Sequence, residues 1–470
     1  MIGRSNGSSS QSLSRKFRRT LLSAKQVTMS HLHDLALELI DCIFAHLITF
    51  RDALCSARLV CRRLCLVASP FLFSSIIIAK RRRSLHNAIH IMEHRVLRKC
   101  IHTLVYDASS YTSLDRESFD DHQDIGDWLA SRESSYLTRI PTHDKLREQI
   151  LTDAAYQHHS AAAKTEARLK EEGLVKRALT MALKLPRMKH VVFSDYRYLA
   201  QSGENVLDLW ERLFGPFPPP RATSEPTCYA EEELSDLLLL ADNLQVRLES
   251  FECGANPYAL QSLPSPSRNT MDPCGLPINA LEILSGASAT RNVTRLRLAL
   301  YLEHVPAAST DTDCLHKILQ KCSAHLKELT LHLLSQNEPV RHAKSYRKEN
   351  FPLDLVNGGN CLLFFHLTVT GVFFSKLKML DLGGIPFYQH DMRDFLQSQA
   401  PSLDHLCLRY CFHNESNGDP LSEACEGRQS HLNLCTLIAG FTRLKTVEFN
   451  SVNGPDSLDR CFERIALRIQ

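Results

Sequence analysis

Four potential zinc ligands fall within nine residues near the carboxyl end of the chain, in the segment His405-Leu-Cys407-Leu-Arg-Tyr-Cys411-Phe-His413. Imidazole nitrogens and thiolates in groups of four bind Zn²⁺ tetrahedrally. The segment has the apolar alternation of a strand, in which His405 and Cys407 share one face while Cys411 points inward. Four ligands on an extended strand cannot converge on one ion. We therefore predict core and surface roles for these side chains and no metal site.

Other sequence patterns that carry chemistry are missing. The sequence contains no phosphate-binding loop, dinucleotide fingerprint, nucleophile elbow or zinc-protease helix motif. His158-His159 could titrate or bind a ligand, but we expect both on an exposed helix face. We therefore predict no catalytic residue and no cofactor, and we predict that the chain is not an enzyme. A hydrolase on an α/β fold stays open only if catalytic residues converge from distant parts of the chain.

Composition narrows the classes of partner. The 470 residues carry a net charge of +3, which is too weak for a nucleic-acid-binding footprint over the whole chain. The longest apolar run, from Cys65 to Ala79, is shorter than the roughly twenty residues that a spanning helix needs. The sixteen cysteines are scattered and form no Cys-x-x-Cys pair, which favours reduced thiols. We expect an intracellular protein, cytoplasmic or nuclear, without nucleic-acid or membrane partners.

The amino terminus is basic and rich in serine. We predict a disordered tail over residues 1–30, with a transit peptide as the alternative. Two short basic runs, Lys16-Phe-Arg-Arg19 and Lys80-Arg-Arg-Arg83, are expected to be solvated, and nuclear import is the alternative for them.

Three short helical patterns follow this tail. Asp34 and Asp52 stand where N-caps are expected, and Pro70 is where we expect the third helix to end. A unit of about forty residues cannot bury so many apolar side chains alone, so we expect a partner protein to cover some of them. The apolar positions are Leu35, Leu39, Ile43, Phe44, Leu47, Leu54, Leu59, Val60, Cys61, Leu64, Cys65, Val67 and Ala68.

Three motifs within these helices carry a resemblance to a known family. They are Leu35-Ala-Leu-Glu-Leu39, Arg58-Leu-Val-Cys-Arg-Arg63 and Ala68-Ser-Pro-Phe-Leu-Phe73. In this order and at these distances they resemble the fungal form of the F-box. That domain connects a substrate receptor to the Skp-type linker of a cullin–RING ubiquitin ligase. The family's first motif has a proline where this chain has Ala36, and that proline normally helps to shape the linker-binding edge.

The resemblance implies a three-helix F-box over residues 31–75. It also implies a substrate-recognition adaptor of an SCF-type cullin–RING E3 ubiquitin ligase, with the Skp-type linker, cullin and a protein substrate as partners. The alternative is a repeat-type interaction scaffold without a ligase connection. The residues expected to contact the linker are Leu35, Leu39, Ile43, Leu47, Leu54, Val60 and Cys61.

A recurring frame of apolar residues marks the rest of the chain. The frame is apolar-x-x-apolar-x-apolar, helical patterns precede several copies, and Cys411 follows one copy at the Asn/Cys position of a leucine-rich repeat. We predict that residues 76–470 form an irregular leucine-rich-repeat-like α/β solenoid. The alternative is an ordinary α/β domain whose strands share the frame. Copies begin at Met188, Leu248, Val293, Leu326, Leu377, Leu403 and Leu444.

The spacing of these copies is irregular. It ranges from 26 residues between Leu377 and Leu403 to 60 residues between Met188 and Leu248. Regular repeats of this kind keep a period of about 20–29 residues. We therefore expect insertions, and proline-rich or polar composition predicts loops near residues 215–229, 255–280 and 336–360. Between residues 120 and 185 the pattern predicts helices.

Overall fold

The structure is a computed structural model. It describes residues 35–47, 50–111, 144–194, 228–254, 276–277, 280–302, 309–335, 369, 371–383, 385–409, 412–414, 438, 441 and 443–450. The predicted tail, residues 1–30, lies outside these ranges. The chain divides into two compact units. We call them the N-terminal unit, Met1–Ser75 with His94–Ile101, and the sheet unit, Ile76–Glu93 with His102–Gln470.

Three helices form most of the described N-terminal unit. They are α1 (Leu37–His46), α2 (Arg51–Arg58) and α3 (Arg62–Leu72), and a short 3₁₀ turn spans Leu97–Lys99. Helices α1 and α2 both pack against α3. The apolar spacing that predicted the helices supplies only part of their shared core. On α1 the inward side chains are Ile40 and Phe44, whereas the predicted positions Leu39 and Ile43 are exposed. The core consists of Ile40, Phe44, Leu54, Leu64, Val67 and Ala68.

The predicted end of the third helix is wrong. Helix α3 runs through Pro70 to Leu72, because a proline in the last turn removes only one backbone hydrogen bond. The Phe73 N–H still donates to the Ser69 carbonyl at 2.9 Å. The predicted N-caps are wrong as well, because Ala36 is the N-cap of α1 and Phe50 is the N-cap of α2. Asp52 lies in the first turn of α2, and Asp34 lies outside the described residues.

Ten strands of the sheet unit form one sheet. Nine of them lie side by side in chain order. The tenth, β5 (Leu276–Pro277), pairs only with β6 (Arg295–Leu302). From β2 to β12 the neighbouring strands are parallel. The nine are β1 (Ser75–Ala79), β2 (Thr103–Asp107), β3 (His190–Ser194), β4 (Ser250–Cys253), β6 (Arg295–Leu302), β7 (Glu328–Ser335), β8 (Met379–Gly383), β10 (His405–Arg409) and β12 (Thr446–Asn450). The predicted α/β class is confirmed.

The predicted frame copies lie next to each other across this sheet. Val191 aligns with Phe251, and the same row continues through Leu296 to Val447. Because side chains alternate along a strand, the second and third frame positions share one apolar face. The segment Ile101-x-x-Leu104-x-Tyr106 has the spacing of the frame but was not among the predicted copies, and its three side chains are fully buried.

Six helices of the sheet unit, from α4 (Arg82–Glu93) to α9 (Ser309–Cys322), form one run of contacts. Helix α6 contacts α4, α5 and α7, while α8 contacts α7 and α9. The last helix, α10 (Gln389–Gln399), contacts β9. Parallel crossovers are right-handed, so crossovers that always advance in the same direction place their helices on the same face. The helices are α4 (Arg82–Glu93), α5 (Asp144–Glu171), α6 (Leu174–Leu183), α7 (Cys228–Asn243), α8 (Ala280–Gly286), α9 (Ser309–Cys322) and α10 (Gln389–Gln399).

The predicted loops lie largely outside the described residues. Where the structure describes them, part of the prediction is wrong: residues 228–229 begin α7, β5 spans Leu276–Pro277, and residue 280 begins α8. A second, two-stranded parallel sheet joins β9 (Pro386–Tyr388) to β11 (Phe412–Asn414). The helices predicted between residues 120 and 185 are confirmed as α5 and α6 for the part that is described.

Candidate functional site

The motif residues of the N-terminal unit hold its helices together. The Arg63 guanidinium donates to the Leu35 carbonyl at 2.6 Å, which ties the start of the first motif to α3. The Arg58 guanidinium lies 4.8 Å from the centre of the Phe73 ring, in cation–π geometry. Cys61 caps α3, since its sulfur accepts the Leu64 N–H at 3.4 Å. These contacts fix which side chains the unit presents to solvent.

The seven residues expected to contact a linker fall into three groups. Leu39, Ile43 and Val60 are exposed by 53%, 39% and 41%, although all three are apolar. Leu54 is 1% exposed and belongs to the core, so its structural role is to stabilise the unit rather than to present a contact surface. The other three are partly buried against the same core: Leu35, Leu47 and Cys61.

The structure adds further exposed apolar side chains that the sequence analysis did not select. Leu59 is the most exposed of them, at 87%. Of the eleven large apolar residues exposed within the described part of the chain, eight belong to the N-terminal unit. On α1, a stripe formed by Ile40 and Phe44 could have indicated that Leu37, Leu39 and Ile43 point outward. We define the exposed apolar set as Leu37, Leu39, Ile43, Phe50, Leu59, Val60 and Leu66.

The sheet carries polar side chains on the face opposite to its apolar rows. We call one row of adjacent residues the polar ladder: Glu252, Arg297, Thr330, Asp381, Cys407 and Glu448. Cross-strand neighbours in a parallel sheet lie close enough to interact. The Arg297 guanidinium is 3.8 Å from the Glu252 carboxylate, and the Cys407 thiol donates to the Glu448 carboxylate at 3.5 Å.

Two further pairs flank the polar ladder. Arg295 and Glu328 form an ion pair of 2.9 Å, and the buried His332 Nε2 lies 3.2 Å from an Asp381 carboxylate oxygen. Burial raises the pKa of Glu252, against the opposing effect of the nearby arginines. This face therefore pairs charged groups of both signs, and its central side chains, Thr330, Asp381 and Cys407, are buried.

The described candidate zinc ligands contact other residues rather than one another. His405 is exposed and its ring nitrogen contacts the Thr446 hydroxyl, while the Cys407 thiol is hydrogen-bonded to Glu448. The predicted placement of His405 and Cys407 opposite Leu406 and Leu408 is confirmed. Cys411 lies outside the described residues, and among the residues that are described no three His, Cys, Asp or Glu side chains are grouped to hold a metal ion.

A buried group of charges at the carboxyl ends of β1 and β2 was not anticipated. Lys80 was expected to be solvated, yet it is 7% exposed and its ammonium lies 3.2 Å from the Glu233 carboxylate. Arg81 lies 3.6 Å from the Asp107 carboxylate, which is also buried. The solvated interpretation of this basic run is therefore wrong for Lys80. Burial of a lysine requires a partner on another element, which the local sequence does not reveal.

Tyr106 and Glu166 extend this group. The Tyr106 hydroxyl donates to Glu233, and burial, followed by the Glu233 charge, raises the pKa of Tyr106. Glu166 accepts the Ser110 hydroxyl at 2.7 Å and the Tyr111 N–H at 2.9 Å. The expectation that His159 faces solvent is wrong, because it is 1% exposed with its ring 5.4 Å from that of Tyr111.

The Glu166→Gln variant is expected to gain stability relative to the unaltered chain as the pH rises. Burial raises the pKa of Glu166, and Lys80 only partly opposes this. A carboxyl whose folded-state pKa is raised contributes stability below its ordinary pKa and loses it as the pH rises through the folded-state pKa. Thermal unfolding of both proteins between acidic and neutral pH measures the effect. A stability difference that stays constant with pH would contradict it.

No protein-family model matches the chain, and no curated protein matches it either. Among the helices that the structure describes, none has the length and apolar character needed to cross a bilayer. The structure therefore defines the class only as α/β, with a three-helix unit at the start of its described residues.

Proposed function

We propose that this chain is a substrate-recognition adaptor of an SCF-type cullin–RING ubiquitin ligase. The observation that carries the proposal is the exposed apolar set on the N-terminal unit. An apolar surface of this kind on a small helical unit suits a protein partner, since exposure of large apolar side chains to water is unfavourable. The F-box-like motifs on the same helices support the Skp-type linker as that partner, and cullin would bind through it.

The sheet unit supplies the second half of the proposal. Its strands follow one another in chain order, helices α4 to α9 contact one another in one continuous run, and its frame copies align in register. These features support an irregular leucine-rich-repeat-like solenoid, in which each unit completes its core only against its neighbours. The exposed charged side chains of the polar face, such as Arg295 and Glu448, would then contact a protein substrate. No bond-making residue is needed here, because the chain contributes proximity inside the cytoplasm or nucleus.

The second candidate function is a repeat-type interaction scaffold. In that case the three N-terminal helices would cap the repeats and have no ligase connection. The exposed apolar set weighs against it, because a cap should present a polar outer face.

Binding of the linker is expected to be lost in the double variant Leu39→Asp/Ile43→Asp. Both side chains are exposed, so the variant should fold, but two carboxylates buried in an apolar contact are strongly unfavourable. Leu39 and Ile43 are better targets than Leu47, which packs against the core. The measurement is co-purification of the full chain with a recombinant Skp-type linker.

The matched control is Leu239→Asp. Leu239 is 59% exposed and lies on α7 in the sheet unit, so its replacement should leave co-purification unchanged. Far-ultraviolet circular dichroism confirms that each variant is folded. If the unaltered chain fails to bind the linker, the scaffold function is favoured. If the double variant binds as well as the unaltered chain, the docking residues are wrongly assigned.

A further inference from the structure

A groove with an excess of positive charge opens at the amino-terminal edge of the sheet. Its volume is about 810 Å³. Among the described residues that line it, five carry a positive charge and one, Asp404, carries a carboxylate. We call it the basic groove and define it by its five cationic residues, Lys327, Lys376, Lys378, Arg443 and Lys445.

The strand register creates this concentration of charge. Lys327 and Lys378 precede β7 and β8, and the N–H groups of Lys378 and Met379 both donate to the Lys327 carbonyl. Neighbouring strands are only about 4.8 Å apart, so the two lysines repel one another. Lysine or arginine flanks the first frame position on both sides in Lys376-Leu-Lys378 and Arg443-Leu-Lys445, which repeats the charge along the edge.

Part of this charge has no counterion in the described chain. The Lys445 ammonium lies 3.6 Å from the Asp404 carboxylate, and Arg443 donates to the Pro401 carbonyl at 2.7 Å. The ammonium groups of Lys327, Lys376 and Lys378 form no hydrogen bond or ion pair with any residue that the structure describes. All three are exposed. An anionic partner would relieve their mutual repulsion.

We propose that the basic groove binds an acidic segment of a partner protein, with carboxylates against the three lysines. A protein segment fits better than single-stranded nucleic acid for two reasons. None of the described residues that line the groove is aromatic, whereas base stacking is a main source of affinity for single strands. The net charge of the whole chain, +3, is also low for a nucleic-acid-binding protein.

The test measures binding of a short fluorescein-labelled peptide, with glutamate and serine alternating, to the full chain by fluorescence anisotropy at low salt. The variant Lys327→Glu/Lys376→Glu/Lys378→Glu is expected to weaken binding about tenfold, since each exposed ion pair contributes a few-fold. Added salt should weaken binding to the unaltered chain. If the triple glutamate variant does not fold, the triple glutamine variant should still weaken binding.

The matched control is Lys164→Glu/Lys176→Glu/Lys317→Glu. It makes the same change of net charge at exposed helix positions and should leave affinity within about twofold. Equal losses in both variants, or unchanged affinity in the groove variant, would overturn the proposal. Tighter, groove-dependent binding of an oligothymidylate would also overturn it, in favour of nucleic acid. The assay contains no linker, so its outcome is independent of the proposed ligase connection.

Discussion

Replacing Phe251 with alanine is expected to lower the free energy of unfolding of the sheet unit by about 3–5 kcal/mol. Phe251 lies in β4, is 0% exposed, and aligns with Val191 and Leu296 on the neighbouring strands. Truncation of the ring removes apolar contacts on both sides and leaves a cavity. Strand β4 cannot move to close it, because β4 is hydrogen-bonded to β3 on one edge and to β6 on the other. Urea denaturation followed by circular dichroism measures the loss.

The matched control for Phe251 is Phe373→Ala. Phe373 is 61% exposed in the same unit, so its truncation should change the free energy of unfolding by no more than about 0.5 kcal/mol. Equal losses in the two variants would mean that the apolar face of the sheet is not the core of the unit.

Replacing Lys80 with methionine is expected to lower the free energy of unfolding by about 3–5 kcal/mol. The methionine fills much of the lysine volume but leaves the Glu233 carboxylate, whose side chain is 12% exposed, without its cation. The Tyr106 hydroxyl still donates to that carboxylate, which favours the lower end of the range. The measurement is again urea denaturation of the full chain.

A second substitution separates loss of the ion pair from loss of packing. The double variant Lys80→Met/Glu233→Gln removes both charges and keeps an amide oxygen that can accept from Tyr106. It should recover most of the lost stability, because the cost of the single variant comes mainly from an unpaired buried charge. No recovery would show that the methylene groups of Lys80, rather than its charge, stabilise the site.

Local pattern was sufficient to predict the strands and their faces. The frame at Leu326-x-x-Leu329-x-Leu331 became β7 with its apolar side chains buried, and the copies that begin at Met188, Leu248, Val293, Leu377 and Leu403 behaved alike. In the last copy Leu444 is buried and Val447 is half-buried. This worked because alternation of side chains is a property of a single extended strand. The N-terminal helices were predictable for the same reason, although Pro70 did not end α3 where expected.

Exposure within the N-terminal unit was harder to predict. Leu54 and Leu59 lie close together in one apolar pattern, yet their exposed fractions are 1% and 87%. The difference depends on where α1 and α3 pack, which a pattern of apolar residues does not specify. Lys80 and His159 show the same limit in the sheet unit, since their burial depends on partners contributed by distant elements.

The sequence by itself determined the α/β class, the seven frame copies and the three N-terminal helices, because each depends on periodicity within a few residues. The tertiary structure alone decided which copies became neighbours, and therefore which polar side chains meet. Lys327 and Lys378 are 51 residues apart and become adjacent only when β7 pairs with β8. The polar ladder and the basic groove arise from strand pairing between distant segments, and the buried charges at β1 and β2 arise from their contact with Glu233 on α7.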